Sequence, residues 1–136
     1  MLLLSAASAG AGTDRAPARR AAAEATDSCP VSAGLPRGAV ADHGSATARS
    51  AQLSLDAGDS YFEPTCGTNV PAGDMTLHVR NTGRMLHNIS FPDQAIDQDI
   101  APGDSATIKV KMGTDPLRFV CKYHSAAGMV GALVAR

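Results

Sequence analysis

Near the carboxyl end runs the segment FVCKYHSAAGMVGALVAR, which holds Cys121, His124 and Met129 at the spacing C-x2-H-x4-M. A thiol, an imidazole and a thioether this close in sequence are three potential donors to one soft metal ion. Each taken alone is more simply a packed or surface side chain. The elements that would position them therefore decide the matter.

From about Ala51 the chain alternates apolar and polar residues in short segments separated by turn residues, the pattern of an all-β sandwich or barrel. Leu53 and Leu55 alternate with polar neighbours until Ala57-Gly58-Asp59 breaks the strand. After the turn Pro71-Ala72-Gly73-Asp74, MTLHVRN places Met75, Leu77 and Val79 on one face and Thr76, His78 and Arg80 on the other. His78 is thus expected to face solvent. Asn81-Thr82-Gly83 turns the chain into LHNISF, where His87 shares the inward face with Ile89 and Phe91. ATIKVKM turns Ala106, Ile108, Val110 and Met112 inward. LRFVC aligns Leu117, Phe119 and Cys121, and MVGALVA closes the domain.

Strand phase thus brings His87 and Cys121 to the interior ends of two strands, with His124 and Met129 on the loop between Cys121 and the last strand. Two imidazoles, a thiolate and a weak thioether make the ligand set of a trigonal type 1 copper site. Zinc accepts Cys and His, but a methionine fourth ligand is unusual for it. A dinuclear copper centre needs a second cysteine in the loop, and a trinuclear cluster needs His-x-His pairs, which the sequence lacks. The pattern points away from an enzyme.

With these residues in place, the stretch from about Phe62 to Arg136 resembles the cupredoxins, blue copper proteins of the plastocyanin and pseudoazurin type. The matching residues are His87-Asn88, Cys121, His124, Gly128-Met129-Val130-Gly131 and the turns PAGD and NTG. The resemblance implies a Greek-key β-sandwich holding one copper that cycles between Cu(II) and Cu(I). It implies that Asn88 anchors the ligand loop. It also implies an electron exit at His124 among Gly83, Met85, Ala126 and Ala127, although Met85 reads equally well as packing beneath the loop. Lys122-Tyr123 departs from the family pattern, and the stretch from His87 to Cys121 is shorter than in plastocyanins. The acidic patch by which plastocyanins dock is not recognisable; Asp93, Asp97 and Asp99 form a small acidic run that a solvated loop explains just as well.

Residues 1–50, rich in Ala, Gly, Ser, Thr, Arg and Pro, offer little apolar surface and are expected to be a disordered, flexible tail. Residues 51–136 form the copper-binding domain. The start MLLLSAASAGAG reads as a truncated export signal or an ordinary flexible start, because a basic n-region and a full apolar core are missing. His43 lies in this tail with no companion ligand and reads as solvated. Of three cysteines, Cys29 and Cys66 could form a disulfide in an oxidising compartment, leaving Cys121 free; three reduced thiols are the other reading.

The formal net charge of -1 gives no basic face for nucleic acid. No apolar run approaches the roughly 18 residues of a membrane span. The expected protein is an exported monomer (periplasmic, secreted or at the cell surface) that shuttles single electrons between redox partner proteins. The alternative is a copper-handling protein for storage, delivery or homeostasis. Exposed Met clusters would mark that role, whereas Met75 and Met112 fall on core faces.

Overall fold

A computed structural model describes residues 29–35 and 39–136. The signal-like residues 1–9 and most of the expected tail lie outside the described residues. A short helix, α1 (Cys29–Ser32), precedes ten strands: β1 (Ser45–Thr47), β2 (Gln52–Gly58), β3 (Tyr61–Glu63), β4 (Cys66–Val70) and β5 (Gly73–Asn81), followed by β6 (His87–Phe91), β7 (Ile96–Ile100), β8 (Ser105–Met112), β9 (Leu117–Val120) and β10 (Val130–Ala135). They form a six-stranded sheet in the order β1-β4-β10-β9-β6-β7 and a four-stranded sheet in the order β3-β2-β5-β8. The described chain is thus an all-β sandwich, as its patterning requires.

Alternation within the strands builds the core. Met75, Leu77 and Val79 of β5 pair in register with Val110, Ile108 and Ala106 of β8. They share one hydrophobic cluster with Ile89 and Phe91 of β6, Phe119 of β9 and Leu133 of β10 from the opposite sheet. With no tryptophan in the chain, three phenylalanines carry the bulk. Phe119 meets Phe62 edge-on at 5.0 Å between centroids and Phe91 at 5.5 Å. Such ring pairs add about 0.5–1.5 kcal/mol each beyond area burial. Gly131 is small because Phe119 lies against it: a Cβ there would overlap the Phe119 ring and come within 2.5 Å of the Thr65 carbonyl oxygen.

Strand order begins before residue 51. Ser45–Thr47 pairs in parallel with Cys66–Thr68, and its small polar residues carry no apolar alternation to reveal it. Further upstream, Cys29, Ala33 and Leu35 pack with Cys66 and Ala132 in a second cluster. The acidic run is also placed differently from a solvated loop. Asp97 and Asp99 lie on β7, antiparallel to β6 with Asn88 opposite Asp99 and Ser90 opposite Asp97, while Asp93 sits in the 3-10 turn Pro92–Gln94.

Because Phe119 joins both sheets, Phe119→Ala should lower the unfolding free energy by about 3–5 kcal/mol. Urea titration of the metal-free protein should show a lower midpoint at unchanged slope. A loss below about 1 kcal/mol would mean that the sheets are not packed through this ring.

Candidate metal centre

The site lies where three strand ends meet. His87 opens β6, Cys121 directly follows β9, and Met129 directly precedes β10. Since β9 is antiparallel to both neighbours, these ends fall at the same edge of the sandwich. His87, Cys121 and Met129 are fully buried, and His124 is half-buried.

The ligand loop is held by its own backbone. The Cys121 N–H donates to the Met129 carbonyl at 3.0 Å, adding one rung beyond the Val120–Val130 pair of the β9–β10 ladder. Inside that rung, the His124 N–H donates to the Cys121 carbonyl and the Met129 N–H to the His124 carbonyl, both at 3.2 Å. Ser125–Ala127 makes a 3-10 turn that Gly128 ends at φ 93°, a left-handed conformation suited to glycine. A Cβ at Gly128 would also lie 2.7 Å from backbone atoms of Ala39 and Ala41.

Within this frame the donor atoms of His87, Cys121 and His124 lie within 4.8 Å of one another, the one such cluster among the described residues. His87 Nδ1 is 3.2 Å from His124 Nδ1, which is 3.5 Å from Cys121 Sγ. Met129 belongs to the same buried cluster as Cys121. Two imidazole nitrogens and a thiol sulfur converging at a buried strand end can hold a metal ion that accepts both nitrogen and sulfur.

Asp59, which the sequence presents only as a strand breaker, proves to be part of the site. Its Oδ1 lies 2.9 Å from His87 Nε2 and also accepts the N–H groups of Arg84 at 2.9 Å and Met85 at 3.3 Å. The His87 hydrogen bond, helped by these backbone donors, holds the Asp59 carboxyl below the usual carboxylate range. Asn81 is likewise more than a turn residue. Buried, it donates to the Met85 and Ile100 carbonyls at 2.8 Å each and accepts the Gly83 N–H at 2.9 Å, shaping the loop that delivers His87.

On the other face of β6, Asn88 accepts the Lys122 N–H at 3.4 Å and donates to Asp97 and Asp99 at 2.7 and 2.9 Å. Lys122 Nζ pairs with Asp97 at 3.0 Å and Asp99 at 3.6 Å, and the Tyr123 hydroxyl donates to Asp99 at 2.8 Å. Both carboxyls are held below their ordinary values, Asp97 mainly by Lys122 and Asp99 mainly by Asn88. The Lys122 amine is correspondingly raised by Asp97.

Met85 is 41 % exposed, so it is surface rather than packing beneath the loop. Ala126 and Ala127 are exposed, as is Tyr123 of the pair that departs from the family pattern, and Leu86 adds exposed apolar area that the sequence does not single out. His78 is exposed on β5. His43 is exposed and stacks on Tyr61 at 3.7 Å, away from the cluster. Cys29 and Cys66 are joined in a disulfide with Cα atoms 5.7 Å apart, and Cys121 is free.

A two-sheet β-sandwich with a His–Cys–His cluster at one edge defines a metal-capable β class. Residues 38–135 match the family of the cupredoxin-like domain, and the chain belongs to that family. Solved structures share the fold. Reduced auracyanin from Roseiflexus castenholzii aligns with a TM-score of 0.56 at 20 % identity, covering 65 % of this chain and 99 % of its own. The metal-binding domain of the Cu(I)-exporting P-type ATPase of Streptococcus pneumoniae, with Cu(I), gives 0.54 at 12 %, covering 62 % of this chain and 84 % of its own. A Cu(I) form of an amicyanin mutant gives 0.51 at 15 %, covering 65 % and 86 %. At these identities the likeness is one of fold. No curated protein matches the sequence.

The depressed carboxyls fix the sign of a pH effect. A carboxylate with a lowered folded-state pKa stabilises above its unfolded value and loses that contribution as pH falls through the folded value. Comparing the metal-free wild type with Asp97→Asn, the stability difference should be full above the ordinary value of 3.8, shrink as pH falls below it, and vanish only under the lowered folded-state value. Thermal melts across that range test it; a difference that grows on acidification would contradict the clamp.

Proposed function

We propose that this chain is a type 1 copper protein that carries single electrons between redox partner proteins outside the cytoplasm. One copper ion would be held by His87, Cys121, His124 and Met129. The observation that carries the reading is the convergence of His87, His124 and Cys121 within 4.8 Å in a cupredoxin-like sandwich. Two solved structures of similar fold hold Cu(I), which supports copper over zinc.

When bound, copper would supply a one-electron couple between Cu(II) and Cu(I). The chain's residues would do the rest. Two imidazoles suit both oxidation states, while Cys121 and Met129 supply soft sulfur for the reduced one. The rung between Cys121 and Met129 keeps the donors in place. Half-buried His124 is the route outward, bordered by the exposed Ala126 and Ala127 of its own turn. Two imidazoles and two sulfurs as donors suit a one-electron couple rather than hydrolytic chemistry, so the reading is a carrier and not an enzyme. The Cys29–Cys66 bridge supports an oxidising compartment.

Copper handling is the second reading, favoured by the fold's likeness to the metal-binding domain of a Cu(I) exporter. Sulfur outside the site argues for the carrier. Met75 and Met112 are buried, Cys29 and Cys66 are bridged, and Met85 stands without a second exposed thioether among the described residues.

The copper-loaded, oxidised protein should show intense visible thiolate-to-copper charge transfer that disappears with ascorbate and in Cys121→Ser. A colourless Cu(II) protein would sink the proposal. Rapid loss of copper to a competing chelator, faster than electron exchange, would select the handling role. Mass spectrometry after alkylation tests export chemistry separately. Two further thiols, Cys29 and Cys66, should become modifiable only after reduction; three modifiable thiols without reductant would remove the bridge.

A further inference from the structure

We infer that Asp59 is a positioning residue for the metal centre: its carboxylate, wedged against Gly83, fixes the His87 imidazole with its proton on Nε2 and its lone pair on Nδ1. The inference rests on the copper reading for its consequence, though its geometry stands without it.

A carboxylate at 2.9 Å only accepts, so His87 Nε2 must be the donor. In the neutral ring that leaves Nδ1 with its lone pair, directed at His124 Nδ1 and, through it, Cys121. His87 is fully buried, whereas the Asp59 side chain is 38 % exposed. The carboxylate therefore stands at the outer side of the ring and supplies the partner that its second nitrogen would otherwise lack. A water-exposed ring could choose either tautomer, and this one is offered a single acceptor on one side.

Gly83 makes the approach possible. A Cβ at this position would overlap Asp59 Oδ1 and lie 2.9 Å from His87 Nε2. The requirement is steric, since both contacts are to the hydrogen-bonded pair itself. Asp59 belongs to the turn between β2 and β3, and Gly83 to the loop between β5 and β6. The four-stranded sheet thus sends a negative charge to a ligand on the other sheet.

A carboxylate behind an imidazole increases the electron density at the coordinating nitrogen, and losing such a partner typically costs 10–100-fold in metal affinity. A more basic nitrogen favours the more highly charged ion. Asp59 therefore favours Cu(II) over Cu(I) and holds the reduction potential down. Asp59 also anchors residues 84–85 through their N–H groups, and the test has to separate that role from action on the ring.

Asp59→Asn keeps an acceptor oxygen for both the ring and the loop but removes the charge. Asp59→Ala removes the acceptor, and Gly83→Ala displaces it while keeping the charge in the chain. In the metal-free protein, imidazole nitrogen NMR should show His87 as the Nε2–H tautomer in wild type and Asp59→Asn, and as a mixture in the other two. In the copper-loaded protein, Asp59→Asn should lose about tenfold in Cu(II) affinity relative to Cu(I), a rise of about 59 mV for one electron. An unchanged tautomer in Asp59→Ala, or an unchanged potential in Asp59→Asn, would overturn the inference. Because the tautomer is read without metal, a wild type lacking the copper band would refute the copper reading alone.

Discussion

A buried imidazole must satisfy both ring nitrogens, and meeting that demand at His87 organises one edge of this molecule. The inward phase of β6 puts the ring in the core, where an unpaired polar nitrogen is costly. One nitrogen faces the donor cluster and the other meets Asp59. For Asp59 to reach it, β2 must end in a tight turn and residue 83 must lack a side chain. For the ring to arrive at that height, Asn81 must fold the preceding loop back on itself. The nitrogen that faces His124 is thus the remainder of a hydrogen-bonding account settled by residues outside the His87–Cys121–His124 cluster.

The sulfur side of the centre is governed by strand pairing instead. Cys121 and Met129 are the first residues past a β ladder, and the bond between them extends it by one rung. Everything between must close in seven residues, so the loop uses the small Ser125, Ala126 and Ala127 and a left-handed Gly128. Residues 39–41 lie across that glycine, with the Ala41 N–H donating to its carbonyl at 2.9 Å. A longer loop or a side chain at 128 would open the rung.

How far the sequence shows this depends on the physics of each part. β5, β6, β8 and β9 are legible because one face is apolar and the alternation has a phase, and the phase of β6 and β9 places His87 and Cys121 inward. β1, β3 and β4 are not, since Ser45–Thr47 and Tyr61–Glu63 are three residues long and CGTNV has little apolar pattern. β7 escapes for another reason: in IDQDI only the end residues are apolar, and an edge strand exposes the rest. The Asp59–His87 contact spans 28 positions. Nothing local distinguishes that aspartate from any other turn residue, and only the parallel β2–β5 pairing, with Ala57 beside Asn81, brings its turn to the right loop.

The same strand that presents the ligand also braces the loop opposite it. His87, Ile89 and Phe91 face the core, while Asn88 and Ser90 face outward, yet all five are buried. The outward face is covered by the loop and the edge strand: Asn88 joins Lys122 to Asp97 and Asp99, and the Ser90 hydroxyl donates to the Asn88 side-chain oxygen Oδ1 at 2.6 Å. Lys122 follows the cysteine directly, but its ammonium is paired with two carboxylates, Asp97 and Asp99. The Lys122-Tyr123 pair therefore acts as a brace that ties the loop after Cys121 to β7. Side chains alternate with period two, so a one-residue slip of β6 would exchange brace and ligand. The register of this single strand is consequently held from both faces, by the core on one side and by the clamp on the other.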